Sequence, residues 1–132
     1  MTRAAPRSGS DPRGLPPGWP GQVAPADTPG WVQSARAWLL DLSPPDYRGY
    51  PVLNRHPLAL AFITHAHVEA GLAAVRQARG QARSAFSDLL SPSELAALLE
   101  VLDHEELRLL AAGRGVALVT DALRGRRRTA RL

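Results

Sequence analysis

"FSDLLSPSELAALLE", residues 86–100, decides how this chain folds. Ser91 followed by Pro92, with Glu94 three residues after the serine, is a helix-starting arrangement. The serine caps the new N-terminus, proline fills the first helical position, and the glutamate reaches back to the cap. A helix therefore begins at 92, and Gly125 is well placed to end it near 124. Upstream, no proline interrupts residues 58–90. The chain reads as two long helices, about 57–90 and 92–124, joined by a tight turn at 91.

Apolar spacing tests that reading. On the first of the two, Leu58, Ala61, His65, Val68, Leu72, Val75, Arg79, Ala82, Phe86 and Leu89 follow in steps of three and four. On the second, Leu95, Leu98, Leu102, Glu105, Leu109, Ala112, Val116, Val119 and Leu123 do the same. These are coiled-coil-like seams. Folding the chain at 91–92 opposes Leu89 with Leu95, Phe86 with Leu98, Ala82 with Leu102, Val75 with Leu109 and Val68 with Val116. The two polar misfits, Arg79 and Glu105, then share a layer, while Arg76 and Arg83 face Glu100, Asp103 and Glu106. An antiparallel hairpin explains this matching, with the Arg79–Glu105 pair fixing register. Gly71 and Gly113 share a layer with Gly115 nearby, where they allow close helix approach or mark a kink.

Working outward to the N-terminus, seven of the twelve prolines and five of the eleven glycines lie in the first 30 residues. Residues 1–26 are expected to form a disordered arm, with Trp19 either docked or exposed. The helical domain then spans 27–124. Asp27-Thr28-Pro29 signals a short first helix over about 29–42, with Trp31, Ala35, Trp38 and Leu42 on one face. A proline-rich connector, 44–57, follows. The expected architecture is all-α: a short helix plus a long hairpin.

A chain of 132 residues holds one small domain. Without cysteine it has no disulfides, thiolate zinc sites or thiol redox chemistry. Every one of its sixteen basic residues is arginine, in keeping with a GC-rich genome that also supplies Ala, Gly, Pro and Leu. The net charge of +4 sits in the ends. Arg3, Arg7 and Arg13 oppose only Asp11, and Arg126, Arg127, Arg128 and Arg131 are unopposed, whereas the middle is mildly acidic. Arg3 and Arg7 precede no apolar stretch, and no apolar run approaches the roughly 18 residues of a membrane span. A cytoplasmic protein without membrane contact is expected.

Candidate chemistry is sparse. Phosphate-binding glycine loops, nucleophile elbows and triad-like arrangements are all missing, so no enzyme activity and no cofactor is expected. The aromatic end, with Trp31, Trp38, Asp46, Tyr47, Arg48, Tyr50, Arg55 and His56, has the ingredients of a partner or ligand surface. The plainer alternative is a loop that closes the open end of the hairpin. His65 and Glu69, four apart on one face, have metal-chelating spacing but need a third ligand from His56, Asp46 or a second chain. His67 points elsewhere, and a seam histidine is more simply packed, here opposite Val119. Glu100, His104 and Arg108 read as a solvated ladder. The Arg tail, 125–132, can bind phosphates non-specifically, but nothing near it reads bases.

Leu99, Val101, Leu107, Leu110 and Leu118 lie off the seam, so a lone hairpin leaves apolar flanks that a second copy would cover. The leading expectation is a non-enzymatic interaction or scaffolding module, homodimeric, with an unidentified protein partner. Its rivals are a nucleic-acid- or ribosome-associated protein anchored by the tail, and a metal- or small-ligand-binding protein using His65 and the connector. The segments "WLLDLSPPDYRGYPVLNRHPLALA", 38–61, and "LLAAGRGVALVTDALRG", 109–125, resemble a family of small uncharacterised helical proteins of high-GC actinobacteria. The resemblance spans roughly residues 18–125. It implies a bacterial, cytoplasmic setting and carries over no activity, cofactor or site residue.

Overall fold

The computed structural model describes residues 14–131, with side chains to residue 125. The described chain is all-helical. α1 (Trp31–Asp41) is followed by a short 3-10 helix (Pro45–Gly49), α2 (Pro51–Arg55), α3 (Pro57–Phe86) and α4 (Pro92–Arg131). α3 and α4 pack antiparallel as a long hairpin. The turn forms as the sequence dictates. The Glu94 amide donates to Ser91 Oγ at 3.2 Å, and the Ser91 amide donates to Glu94 Oε1 at 3.0 Å. The Ser91 amide first, and the Ser91 hydroxyl after it, hold the Glu94 carboxyl below its ordinary pKa.

Several boundaries differ from expectation. α1 begins at Trp31, not at 29: Asp27 takes a left-handed conformation (φ 66°), and Thr28 bonds back to the Pro25 carbonyl through both its amide and its hydroxyl. Asp27-Thr28-Pro29 thus forms the turn before the helix, and Gly30 (φ 79°) stands at the N-cap. α3 ends at Phe86, since the Leu89 and Leu90 amides both return to the Phe86 carbonyl in a turn. α4 does not stop at Gly125. A glycine ends a helix by adopting positive φ, and Gly125 is not among the glycines that do so. Residues 125–131 are therefore a continuation of α4 rather than a separate tail, and arginines in a last turn suit the helix dipole.

The expected disorder of residues 1–26 is corrected for 14–26, which are docked; residues 1–13 lie outside the described residues. Trp19 and Val23 are buried with Trp31, Ala35, Trp38, Leu39, Leu53, Leu60, Ala61, Val116, Val119 and Leu123 in one core. Trp19 Nε1 donates to the Val23 carbonyl at 3.0 Å, and the Ala24 amide donates to Ser34 Oγ at 2.9 Å. The segment holds too little apolar surface to fold alone, yet it has a tryptophan and a valine that an existing helical face can bury. This strap, α1, the connector and one end of the hairpin make a head. Beyond it, the distal hairpin is two helices alone: past Leu72, α3 buries only Ala82, and α4 buries nothing before Ala112.

The hairpin register is close to the expected one, but its polar layer is not. Arg79 Nη2 lies 2.7 Å from Asp103 Oδ1 and Arg79 Nη1 lies 3.5 Å from Glu106 Oε2, while Arg76 reaches Glu106 at 3.6 Å. Glu105 instead pairs within its own helix, accepting from Arg108 Nε at 2.6 Å. That bond holds the Glu105 carboxyl below its ordinary pKa. The expected Arg79–Glu105 pair is thus not formed. A seam of strict three-and-four steps drifts about 20° per heptad around a straight helix, which carries Glu105 aside and brings Asp103 and Glu106 toward α3. A double-mutant cycle on Arg79 and Glu105 should show no coupling, whereas Arg79 and Asp103 should couple by about 0.5 kcal/mol. Urea denaturation of the single and double alanine variants measures both.

Contrary to the expectation that no apolar run approaches a membrane span, α3 holds a stretch that is by length and composition apolar enough to cross one; 28% of that window is buried.

Candidate functional site

The connector is built by its prolines. Pro44-Pro45 stops α1, and Pro45, Pro51 and Pro57 each open the next short element. Arg48 Nη2 donates to Asp41 Oδ1 at 2.8 Å, and Asn54 Nδ2 donates to the Arg48 carbonyl at 2.8 Å, so this end is tied together. Tyr47 stands beside Tyr50 (ring centroids 6.2 Å) and edge-on to His67 (6.3 Å). Asp46, Tyr50, Arg55 and His56 are exposed, and Tyr47 is half-buried against the core. Trp31 and Trp38, expected here as contact residues, are only 4% and 8% exposed. They are core, because both face the strap and α4 rather than the connector's surface. What remains is a loop that caps the head, with a few solvated polar groups.

His65 and Glu69 do share a face, with Nε2 and Oε1 3.8 Å apart. Both are exposed, so His65 is not the packed seam residue opposite Val119. Thr64 is buried in its place, its hydroxyl 2.9 Å from that of Ser43, which also donates to the Leu39 carbonyl at 2.8 Å. Among the described residues no group of three or more potential ligands gathers around His65 or elsewhere. Neither His56 nor Asp46 completes a site. The Ser43–Thr64 pair was missed because a threonine between apolar residues looks like any helical position. The connector that turns α3's seam toward Leu60 and Thr64 leaves no periodic signal.

α4 also has an uncovered side. The helix meets α3 at Gly113, beside Val68 and Glu69, at Leu109, beside Gly71, and at Asp103 and Glu106, which pair with Arg79 and Arg76. A rotated side receives Trp38 and Pro20 at Gly115. At 3.6 residues per turn, Ala96, Glu100, Asp103, Leu107, Leu110, Arg114 and Ala117 lie along one side of α4, which borders the α3 contact at Asp103. Leu107 is 68% exposed there, Leu110 is half-buried, and Ala96, Glu100, Arg114 and Ala117 are exposed. Val101, 57% exposed, lies on a different side. At the hairpin tip, Leu90, Leu95, Leu99 and Arg83 help line an open hollow of about 260 Å³. The arginines at 126, 127, 128 and 131 fall beyond the described side chains. Of the expected site residues, the structure thus gathers Tyr47, Arg48 and Tyr50 in the connector and pairs His65 with Glu69. It separates Arg79 from Glu105 and removes Trp31 and Trp38 to the core.

No family model, curated protein or solved structure matches the chain, so fold and geometry carry the functional reading.

Proposed function

We propose that this chain is a non-enzymatic protein-interaction module, working as a homodimer, whose contact surface is the outer side of α4. The supporting observation is the distribution of apolar side chains around that helix. A surface helix of a globular protein has one apolar face, and α4 has that face filled by α3. Leu107 and Leu110 nevertheless continue a second stripe beside it, Leu107 at 68% exposure. The head gives the hairpin a fixed base, and the distal hairpin extends that stripe beyond the head. Exposed apolar stripes of this kind mark association surfaces.

Tagged chain is used to capture partners, itself included, in three forms: full length, ending at Leu123, and carrying Leu107→Glu with Leu110→Glu. Each is run with and without nuclease. Discrete proteins retained by the first two forms under nuclease, and lost from the third, are expected. Capture that nuclease or removal of 124–132 abolishes, and that the paired glutamates leave intact, would replace this reading with the tail as an electrostatic anchor on nucleic acid.

A further inference from the structure

The outer stripe of α4 has an internal symmetry that identifies its occupant. Counting outward from Leu107, the stripe meets Asp103 on one side and Leu110 on the other, then Glu100 and Arg114, then Ala96 and Ala117. Reversing the helix direction about Leu107 brings Glu100 onto Arg114, seven residues away on either side, and sets Ala96 within one residue of Ala117 and Asp103 within one residue of Leu110. Leu107 maps onto itself. Glu100 and Arg114 are both exposed, and neither has an ion-pair or hydrogen-bond partner among the described residues. Asp103, the one acid that would meet a leucine, is already matched by Arg79 at 2.7 Å.

Resting on the interaction reading above, we infer that the surface α4 recognises is α4 of a second copy, packed antiparallel across a two-fold axis at Leu107. In that register Leu107 meets its own counterpart, and Glu100 of each copy faces Arg114 of the other, twice over. Ala96 against Ala117 at either end lets the backbones approach. A closed two-fold contact requires a self-complementary patch. A parallel pairing would set Glu100 against Glu100 and Arg114 against Arg114, so the charges select the antiparallel arrangement. The contact runs over about six helical turns, about 32 Å of α4. It borders the α3 contact at Asp103 and leaves the Trp38 contact at Gly115 undisturbed.

A single thiol reads the register directly, because the chain has no cysteine of its own. Helices packed about 8–10 Å apart bring facing Cα atoms within about 4–6 Å, the range a disulfide spans. Leu107→Cys should therefore oxidise to a covalent dimer, while Val101→Cys, exposed on another side, should remain monomeric under the same conditions. Charge reversal gives an independent test by sedimentation. Glu100→Arg and Arg114→Glu should each weaken self-association about tenfold or more, because each creates two like-charge pairs. Mixed together, the two variants should associate with each other nearly as well as the wild-type chain does with itself, since every facing pair is again opposite in sign. A wild-type chain that sediments as a monomer overturns this inference and the homodimer proposed above with it. Capture of a different protein that the Leu107→Glu, Leu110→Glu pair abolishes would keep the interaction module standing. A dimer that does not cross-link through residue 107, or variants that fail to restore each other, overturns the register.

Discussion

Gly115→Ala is expected to destabilise the protein by about 1–3 kcal/mol, although replacing a helix-interior glycine by alanine ordinarily adds about 1 kcal/mol of stability. The sign follows from what a Cβ would meet. Trp38 Cη2 would lie 2.9 Å from it, Pro20 Cγ 3.1 Å and Trp38 Cζ2 3.2 Å. None of these is the free end of a flexible side chain. The Trp38 ring is 8% exposed and wedged in the core of the head, and Pro20 is a ring fixed in the strap. Relief requires the strap or α1 to move as a body, which disturbs the packing of every residue between them. Gly80 supplies the control, because it sits inside α3 with nothing within 4 Å of its Cβ position. Gly80→Ala should therefore stabilise by up to about 1 kcal/mol. Urea midpoints that move in opposite directions for the two variants are the expected result; two shifts in the same stabilising direction would mean that Trp38 and Pro20 do not crowd α4.

The hairpin was legible in the sequence because its determinants are local and periodic. Ser91, Pro92 and Glu94 announce the turn within four residues, and three-and-four spacing marks both helices before any contact is known. The glycines are a partial success. Close approach at Gly71 and Gly113 is visible as a shared layer, and Leu109 and Val68 do come within ordinary contact distance of their missing side chains. Gly115 was grouped with them, but its partner is Trp38 from another element, which no hairpin pattern can reveal. The same limit explains the remaining differences. Arg79 chose Asp103 and Glu106 over Glu105 because the heptad drifts, an effect that accumulates over turns rather than appearing in any one. Trp31 and Trp38 looked like an aromatic end because they neighbour Tyr47 and Tyr50 in sequence, and the strap that buries them comes from a segment whose composition argues for disorder. The outer stripe of α4 was visible only as leucines off the seam. Its symmetry about Leu107 acquires meaning once the side facing α3 is fixed and Glu100 and Arg114 are seen to have no partner among the described residues.

Trp19→Ala should cost about 3–5 kcal/mol, out of a stability that for a domain of this size is roughly 5–15 kcal/mol. Composition alone predicts no cost, since the residue lies between prolines in a glycine-rich segment. In the fold its ring is 8% exposed, its centroid is 6.3 Å from that of Trp31 at a tilt of 45°, and its Nε1–H is satisfied by the Val23 carbonyl at 3.0 Å. That bond folds the strap back on itself, together with the Val23 amide donating to the Pro20 carbonyl at 3.2 Å, so Val23 is fully buried by the same turn. Trp19→Phe separates the two contributions: it keeps an aromatic ring in the core and leaves the Val23 carbonyl without its donor, for about 1–2 kcal/mol. Both losses should appear as lower urea midpoints, and exchange of the Val23 amide should accelerate most in the alanine variant, because the strap opens before the hairpin does. If Trp19→Ala shifts the midpoint no more than Trp19→Phe, the ring contributes nothing beyond its hydrogen bond. The head would then be held by α1 and the hairpin alone, and Pro20 would have no means of pressing Trp38 against Gly115.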